Sequence, residues 1–225
     1  MNSQNKIRLK RDSIKAIIFD FDGTLVDSMS AMEDMLVNML VDRGKTPNED
    51  LIHEIKPRGF RGGAAYLKEV YQIEEDEQEI FDYMTNFMYQ IYQKIELKEA
   101  AFDFIESLIE KGIRIALASA NQKKFVEAGL KATGIYDKFE YIITTEEINT
   151  DKNSAKIFEY LSEKMKLKPE EIIVFEDSAL ANKKAGEAGF MTVGVVEKIM
   201  TGDEKRDLLD SSDYLIADFS EIELV

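Results

Sequence analysis

The chain has 225 residues, 44% of them apolar, which is enough for one sizeable α/β domain or for a core domain with a smaller insertion. Its 29 Lys and Arg are outnumbered by 44 Asp and Glu, and the net charge of −15 argues against nucleic acid or an anionic membrane surface as a partner. The absence of cysteine and the single histidine, His53, exclude disulfides, thiolate or His-based zinc sites and a Ser-His-acid triad.

The N-terminal segment Met1 to Arg11 is polar and basic, and it contains no apolar run of the length of a signal peptide or a membrane span. We therefore expect a soluble cytoplasmic protein. Nothing in the sequence fixes the oligomeric state, and we favour a monomer.

The first predicted strand, Ala16 to Phe19, is a short apolar run that ends in two carboxylates one residue apart. Such a run suits a strand buried on both faces of a parallel sheet. Asp20 would lie at its carboxyl end, where open α/β sheets bind their ligands. Asp22 follows, Gly23 lets the chain turn sharply close to a ligand, and Thr24 offers a hydroxyl beside it. An ordinary acidic Asp-Gly turn is the alternative interpretation.

The segment after this strand, from about Asp27 to Glu96, shows helical patterns and no strand pattern. Its methionine and aromatic stripes are most simply the core of a small helical bundle. Ser28 is the expected N-cap of its first helix. The predicted helices cover residues 28 to about 43, 50–55, 64–71 and about 76–92, with a loop at 56–63 that carries three cations and three glycines.

From about Lys98 the pattern alternates between helix and strand, which predicts a doubly wound parallel sheet with right-handed crossovers. The fold class is therefore α/β. A core domain would consist of residues 1–26 and 97–225, with a helical domain of residues 27–96 inserted after the first strand. The predicted helices are 98–111, 121–132, 154–166 and 179–188, and the predicted strands are 113–118, 141–144, 172–175, 192–196 and 214–216.

Polar side chains follow several of these strands, and in a parallel sheet all the strand tips lie at one edge. Besides the two aspartates of the first strand, Ser119 follows the second strand, Lys152 lies after strand 141–144, and Glu176 and Asp177 follow strand 172–175. Singly, these residues fit a helix N-cap, a surface lysine and an acidic first helical turn. Their coincidence at one edge favours a catalytic site.

Together these residues resemble the motifs of the haloacid dehalogenase-like superfamily of phosphotransferases, and the resemblance covers nearly the whole chain. The helical insertion resembles that superfamily's α-helical cap, and the alternating part resembles its Rossmann-like core. The closest likeness is to the β-phosphoglucomutase and phosphoglycolate phosphatase branch. The matching motifs are Asp-x-Asp-x-Thr at Asp20, Asp22 and Thr24, the hydroxyl at Ser119, the lysine at Lys152 and the acidic pair Glu176 and Asp177.

Three features depart from the pattern of that superfamily. Lys152 is followed by Asn-Ser-Ala-Lys where relatives usually have a Pro-x-Pro run. The Pro-Gly before the second core helix is replaced by residues 95–98, Ile-Glu-Leu-Lys. The histidine that phosphoglucomutases carry shortly after the first motif is absent from Ser28 to Asp34. The last departure argues against a mutase.

The resemblance implies a Mg²⁺-dependent phosphatase that hydrolyses a small phosphorylated metabolite through an aspartyl phosphate. Asp20 would be the nucleophile and Asp22 the general acid and base. Ser119 and Lys152 would bind the phosphoryl oxygens. The expected magnesium ligands are the carboxylates of Asp20 and Asp177 and the main-chain carbonyl of Asp22, with Glu176 holding a metal-bound water.

Substrate binding is assigned to Thr24 and Asn121 in the core and to the cations Lys56, Arg58 and Arg61 of the loop at 56–63. For that loop, a glycine-rich connector with solvated cations is the alternative.

Other functions stay open at this point. Asp22 favours a phosphate ester over a carbon–halogen or carbon–phosphorus bond, since dehalogenases and phosphonate hydrolases of the superfamily do not keep an aspartate there. A β-phosphoglucomutase-like sugar phosphomutase is the first alternative, and it would need a sugar bisphosphate. A non-catalytic phosphate-binding module would be expected to have lost Asp20 or Asp22. A response-regulator-like phosphoacceptor would share the strand-tip aspartate but not the helical insertion.

Overall fold

The computed structural model describes residues 6–9 and 13–225 of the chain. Most of the segment Met1 to Arg11, in which the sequence predicts no signal peptide, lies outside these residues. Across the described part of the chain, none of the helices has the length and apolar character needed to span a membrane.

Two parallel sheets are present in the described residues. A small sheet pairs strand β1 with strand β8 near the two chain ends, and the central sheet has the order β4-β3-β2-β5-β6-β7 once the strands are numbered along the chain. The strands are β1 (Ile7–Leu9), β2 (Ala16–Phe19), β3 (Arg114–Ser119), β4 (Tyr141–Thr144), β5 (Ile172–Glu176), β6 (Met191–Val195), β7 (Tyr214–Ile216) and β8 (Ile222–Leu224).

Strand β2 lies at the centre of the larger sheet, hydrogen-bonded to β3 on one side and to β5 on the other. The chain builds β3 and β4 on one side and then crosses to build β5, β6 and β7 on the other. The end of β2 is therefore the point at which the strand order reverses, and ligands of such sheets bind there, beyond the carboxyl ends of the strands.

Helices cover both faces of this sheet. The side chains of β2 alternate, so that Ile17 and Phe19 join one buried cluster and Ala16 and Ile18 join another on the opposite face. All four residues are fully buried. The core helices are α5 (Ala101–Glu110), α6 (Lys123–Ala132), α7 (Lys156–Met165), α8 (Ala179–Glu187) and α9 (Gly202–Asp210).

The helical insertion contains α1 (Ser28–Asp42), α2 (Leu51–Ile55), α3 (Gly59–Tyr71) and α4 (Glu77–Tyr92). Its methionine stripes are core, as predicted, since Met35, Met39, Met84 and Met88 are fully buried. Val26 and Leu97, at the two ends of this helical segment, form an antiparallel bridge. The division into a core domain of residues 1–26 and 97–225 and an inserted domain of residues 27–96 stays a prediction.

The predicted α/β fold is confirmed, with corrections in the insertion. The N-cap of α1 is Asp27, whose side chain accepts a hydrogen bond from the Ser30 amide; the prediction that Ser28 is the N-cap was wrong. The predicted loop at 56–63 is also wrong, because a 3₁₀ turn, Lys56–Arg58, leads directly into α3. Helix α9 was missed because only Leu208 in it is buried, which leaves no apolar stripe.

Candidate active site

Asp20 directly follows β2 and lies in the middle of the sheet edge. Its amide donates a hydrogen bond to the Phe175 carbonyl at 2.9 Å, which continues the ladder to β5 and fixes the backbone. The residue is 4% exposed. Burial raises the pKa of Asp20 to about 7, although the Lys152 ammonium opposes the shift. A buried carboxylate at this position depends on nearby cations for its charge.

Two further carboxylates reach Asp20 from the end of β5. Oxygen atoms of Asp20, Glu176 and Asp177 all lie within 4.8 Å of one another. Burial raises the pKa of Glu176 well above its usual value. Burial would also raise the pKa of Asp177, but the charge of Lys56 together with hydrogen bonds to Glu197, Glu176 and Lys56 outweighs it and lowers that pKa to about 2. Three carboxylates with no histidine or cysteine among them form a donor set that suits Mg²⁺.

Lys152 lies in the loop between β4 and α7 and reaches the same cluster without the Pro-x-Pro run. Its ammonium contacts Asp20 and donates to Glu176 Oε2 at 2.7 Å. The side chain is 12% exposed. Burial alone would lower the pKa of Lys152, but the two carboxylates raise it, so the ammonium stays charged. Lys152 therefore supplies a fixed positive charge beside Asp20.

Ser119 is the last residue of β3 and is 1% exposed. Its Oγ accepts a hydrogen bond from the Asn121 amide at 3.0 Å. It does not cap α6, whose N-cap is Gln122. The hydroxyl is thus placed at the strand tip next to β2, at the same edge as Asp20.

The Asp22 carboxylate is bound by three hydrogen-bond donors. Oδ1 accepts from Ser28 Oγ at 2.6 Å and from the Tyr92 hydroxyl. Oδ2 accepts from Asn121 Nδ2 at 2.9 Å. The Asn121 amide therefore contacts Asp22, and its role in substrate binding stays a prediction. Burial and the nearby Asp22 charge raise the pKa of Tyr92, which keeps the phenol protonated as a donor.

Gly23 turns the chain between Asp22 and Thr24 with φ +79°. A Cβ on Gly23 would lie 2.6 Å from Asp177 Oδ2, so the position excludes any side chain. Thr24 is fully buried, and its Oγ1 has no hydrogen-bond partner among the described residues. Lys98 donates to the Gly23 carbonyl. Burial lowers the pKa of Lys98, against the pull of the surrounding carboxylates.

Lys56 crosses from the helical insertion to the core edge. Its ammonium donates to Asp177 Oδ2 at 3.1 Å and to Glu197 Oε1 at 2.8 Å. Burial would lower the pKa of Lys56, but the two carboxylates raise it. Glu197 is 2% exposed, and its Oε2 has no partner in the part of the chain described. Burial, followed by the Asp177 charge, raises the pKa of Glu197 to about 8.

The other two cations assigned to substrate binding contact the insertion itself. Arg58 pairs with Glu54 Oε2 at 2.9 Å and lies 4.8 Å from the Tyr66 ring centre. Arg61 lies 4.7 Å from the ring centre of Phe81. Neither arginine pairs with Asp20, Glu176 or Asp177, and their role in substrate binding stays a prediction.

Four residues that contact this site carry no functional prediction from the sequence. Glu197 comes directly after a predicted strand, so the rule that selected the other strand-tip residues would also have selected it. Lys98 and Ser28 carry no motif of their own. Tyr92 ends an apolar helical stripe, where an aromatic residue reads as core.

Known proteins resemble this chain in sequence and in fold. A sequence model of the haloacid dehalogenase-like hydrolase family matches residues 14–189. YhcW of Bacillus subtilis, named as a candidate phosphatase, is 25% identical over 213 residues, which cover 94% of each chain. The phosphorylated carbohydrates phosphatase of Thermotoga maritima is 26% identical over 201 residues, 84% of this chain and 88% of that one.

Among solved structures, one named as a candidate β-phosphoglucomutase from Thermotoga maritima superposes with a TM-score of 0.78 at 23% identity. The match covers 90% of this chain and 94% of that chain. At this identity the likeness concerns the fold alone, and it confirms the parallel sheet flanked by helices.

Proposed function

The chain belongs to the haloacid dehalogenase-like hydrolase family, and on that premise we propose that it is a Mg²⁺-dependent phosphatase acting on a small phosphate monoester. The observation that carries the proposal is the buried Asp20 at the point of strand-order reversal, paired with Lys152 and placed beside the acidic pair. The phosphatase names of the two sequence relatives support the same reaction class.

The first half of the reaction would transfer the phosphoryl group to the protein. A carboxylate oxygen of Asp20 attacks phosphorus, and the bond from phosphorus to the ester oxygen breaks. Asp22 gives a proton to the departing oxygen, so that an alcohol leaves. Lys152 and Ser119 bind the phosphoryl oxygens and stabilise their charge. The product of this half is an aspartyl phosphate on Asp20.

The second half would return the protein to its starting state. Asp22 is now a carboxylate and takes a proton from a water molecule, which attacks phosphorus. The bond from phosphorus to the Asp20 oxygen breaks, and inorganic phosphate leaves. One side chain serves both halves because its protonation state alternates between them.

The residues present fit a magnesium ion. Asp20, Asp177 and the main-chain carbonyl of Asp22 would hold it, and Glu176 would hold one of its waters. Because Gly23 has no side chain, its backbone can lie close to the Asp177 carboxylate, as such a site needs. When bound, the ion neutralises charge on the phosphoryl oxygens. Lys56 would then share Asp177 with a second cation.

Several expectations about partners and location stay predictions. We expect a small phosphorylated substrate, no nucleic-acid or membrane partner, a monomer and a cytoplasmic location. Gel filtration with light scattering tests the monomer directly. The phosphomutase alternative rests on a likeness of fold, and the missing histidine after the first motif argues against it.

Phosphate release from a panel of phosphorylated sugars, nucleotides and small acids tests the proposal. The native chain is assayed with Mg²⁺ and with EDTA, beside Asp20→Asn and beside Asp103→Asn, an exposed aspartate of α5. We expect hydrolysis by the native chain and by Asp103→Asn with Mg²⁺ only, and none by Asp20→Asn. Silence of the native chain on every ester, with and without a sugar bisphosphate primer, would refute the phosphatase and favour a binding module.

A further inference from the structure

Tyr92, the last residue of α4, belongs to none of the motifs of the site but contacts its proposed acid and base. It is fully buried. Its ring stacks against those of Phe21 and Phe125, with centroid distances of 6.2 Å and 5.4 Å. Because the ring is fully buried and packed against two other aromatic rings, the direction of its hydroxyl group is constrained, and that hydroxyl donates to Asp22 Oδ1.

The hydrogen bonds to Asp22 distinguish its two oxygens. A carboxylate offers about four lone-pair positions, two on each oxygen. Ser28 and Tyr92 occupy both positions on Oδ1. Asn121 occupies one position on Oδ2, and its amide also donates to the Tyr92 hydroxyl oxygen at 2.8 Å. One position on Oδ2 is left, so Oδ2 is the atom at which a proton is exchanged.

The donors to Oδ1 come from the two places where the chain crosses between core and insertion. Ser28 is the first residue of α1, just after the chain leaves the core. Tyr92 is the last residue of α4, just before the chain returns at Leu97. Any rotation of the helical insertion about these crossings moves both donors together. The orientation of Asp22 is therefore tied to the position of the insertion.

We propose that Tyr92 is a positioning residue that orients Asp22 for proton transfer through its Oδ2 atom and connects this orientation to the helical insertion. The inference rests on the proposed phosphatase reaction. It predicts that loss of the Tyr92 hydroxyl impairs proton transfer by Asp22. Without the Tyr92 hydroxyl, Asp22 keeps Ser28 and Asn121 as donors but loses the contact that fixes it to α4.

The dependence on the leaving group tests this role. An alkyl phosphate needs a proton on its departing oxygen, whereas p-nitrophenyl phosphate releases a stable anion and needs little help. The constant kcat/KM reports the steps up to the departure of that group. For Tyr92→Phe we expect kcat/KM to fall about tenfold or more on the alkyl ester, a part of the 10²–10⁴ that acid–base catalysis provides, and less than about threefold on the aryl ester.

Two further variants serve as a negative control and as an independent test. Tyr89→Phe is the matched control, because Tyr89 lies on the same helix, also packs against Phe125 and is 39% exposed. Tyr89→Phe should leave kcat/KM unchanged on both the alkyl and the aryl ester. Ser28→Ala removes the other donor to Oδ1 and should reproduce the selective loss on the alkyl ester. An equal loss on both esters in Tyr92→Phe would overturn the positioning role and leave only a packing role.

A second measurement does not depend on activity. Urea unfolding of the native chain, Tyr92→Phe, Asp22→Ala and the double variant forms a thermodynamic cycle. We expect the two shifts to be non-additive, because each variant breaks the same hydrogen bond. If the changes in unfolding free energy are additive, Tyr92 and Asp22 do not interact and the proposed contact is refuted. If the native chain is inactive on all esters, the proposed function and the positioning role of Tyr92 in it are refuted. The thermodynamic cycle would still show whether Tyr92 and Asp22 interact.

Discussion

Replacement of Lys56 by methionine should strengthen the binding of magnesium to the metal-free protein. In the structure the Lys56 ammonium lies 3.1 Å from Asp177 Oδ2, on one of the carboxylates that would hold the ion. Two cations on one carboxylate repel each other and share its lone pairs. Methionine keeps an unbranched apolar side chain, one heavy atom shorter than lysine, but removes the charge.

The size of the effect follows from the exposure of the partners. A hydrogen bond to a charged group contributes about 1.5–3 kcal/mol when it is buried. Asp177 is 7% exposed, but the Lys56 side chain is 40% exposed, and solvent screens its charge. We therefore expect about 1 kcal/mol, which corresponds to about a fivefold lower Kd for Mg²⁺.

Isothermal titration with MgCl₂ measures this Kd without reference to catalysis. Lys94→Met is the matched control, since Lys94 is an exposed lysine of the insertion whose removal changes the net charge equally. Its Kd should equal that of the native chain. A Kd for Lys56→Met that is unchanged or higher would refute the argument, because Lys56 would then support the ion instead of competing with it.

Three further predictions concern turnover and stability. Lys152→Met should lower kcat for ester hydrolysis about 10²-fold or more, as expected for loss of a buried group that stabilises the transition state, and steady-state kinetics with phosphate detection will measure it. Gly129→Ala should lower the free energy of unfolding by about 1–3 kcal/mol despite its better helix propensity, because the new Cβ would lie 2.6 Å from the Phe21 ring; Gly186→Ala, with open space around it, should gain about 0.5–1 kcal/mol in the same urea titration. Asp27→Ala removes the N-cap of α1 and should cost about 0.5–2 kcal/mol at pH 7. Burial would raise the pKa of Asp27, but the hydrogen bonds from Ser30 and the Lys198 ammonium together lower it, so this difference should persist above its ordinary pKa of 3.8 and shrink as the pH falls below that value; a difference that grows on acidification would contradict the assignment.

The residues at the strand tips could be predicted because a parallel sheet leaves little freedom in where they lie. The sheet brings the carboxyl ends of its strands to one edge, so order in the sequence is enough to place Asp20, Ser119 and Glu176 together. Lys152 is different, since it comes from a loop. That loop follows β4 at the same sheet edge, and from it the Lys152 ammonium contacts the carboxylates of Asp20 and Glu176.

The contacts made by the insertion could not be predicted in the same way. Helical periodicity identifies which face of α4 is buried but not what that face meets in another part of the chain. Tyr92 therefore resembled a core aromatic residue, and nothing in the sequence indicated that its hydroxyl reaches Asp22. Local sequence was also misleading around Gly59. Its glycines and neighbouring cations predicted a loop, whereas a 3₁₀ turn leads directly into helix α3 there.

Two lysines form ion pairs with the acidic cluster, and they come from different parts of the chain. Lys152 belongs to the core and contacts Asp20 and Glu176, so its charge stays in place whatever the insertion does. Lys56 belongs to the insertion, and it contacts Glu197 as well as Asp177. If the proposed magnesium ion binds Asp177, Lys56 would still have Glu197 as a partner, which lies 2.8 Å away in the metal-free structure, and the insertion would keep one charged contact with the core edge. The ammonium would then lie beside the proposed phosphoryl site with one fewer acceptor, where it would be available to an anionic group of the substrate.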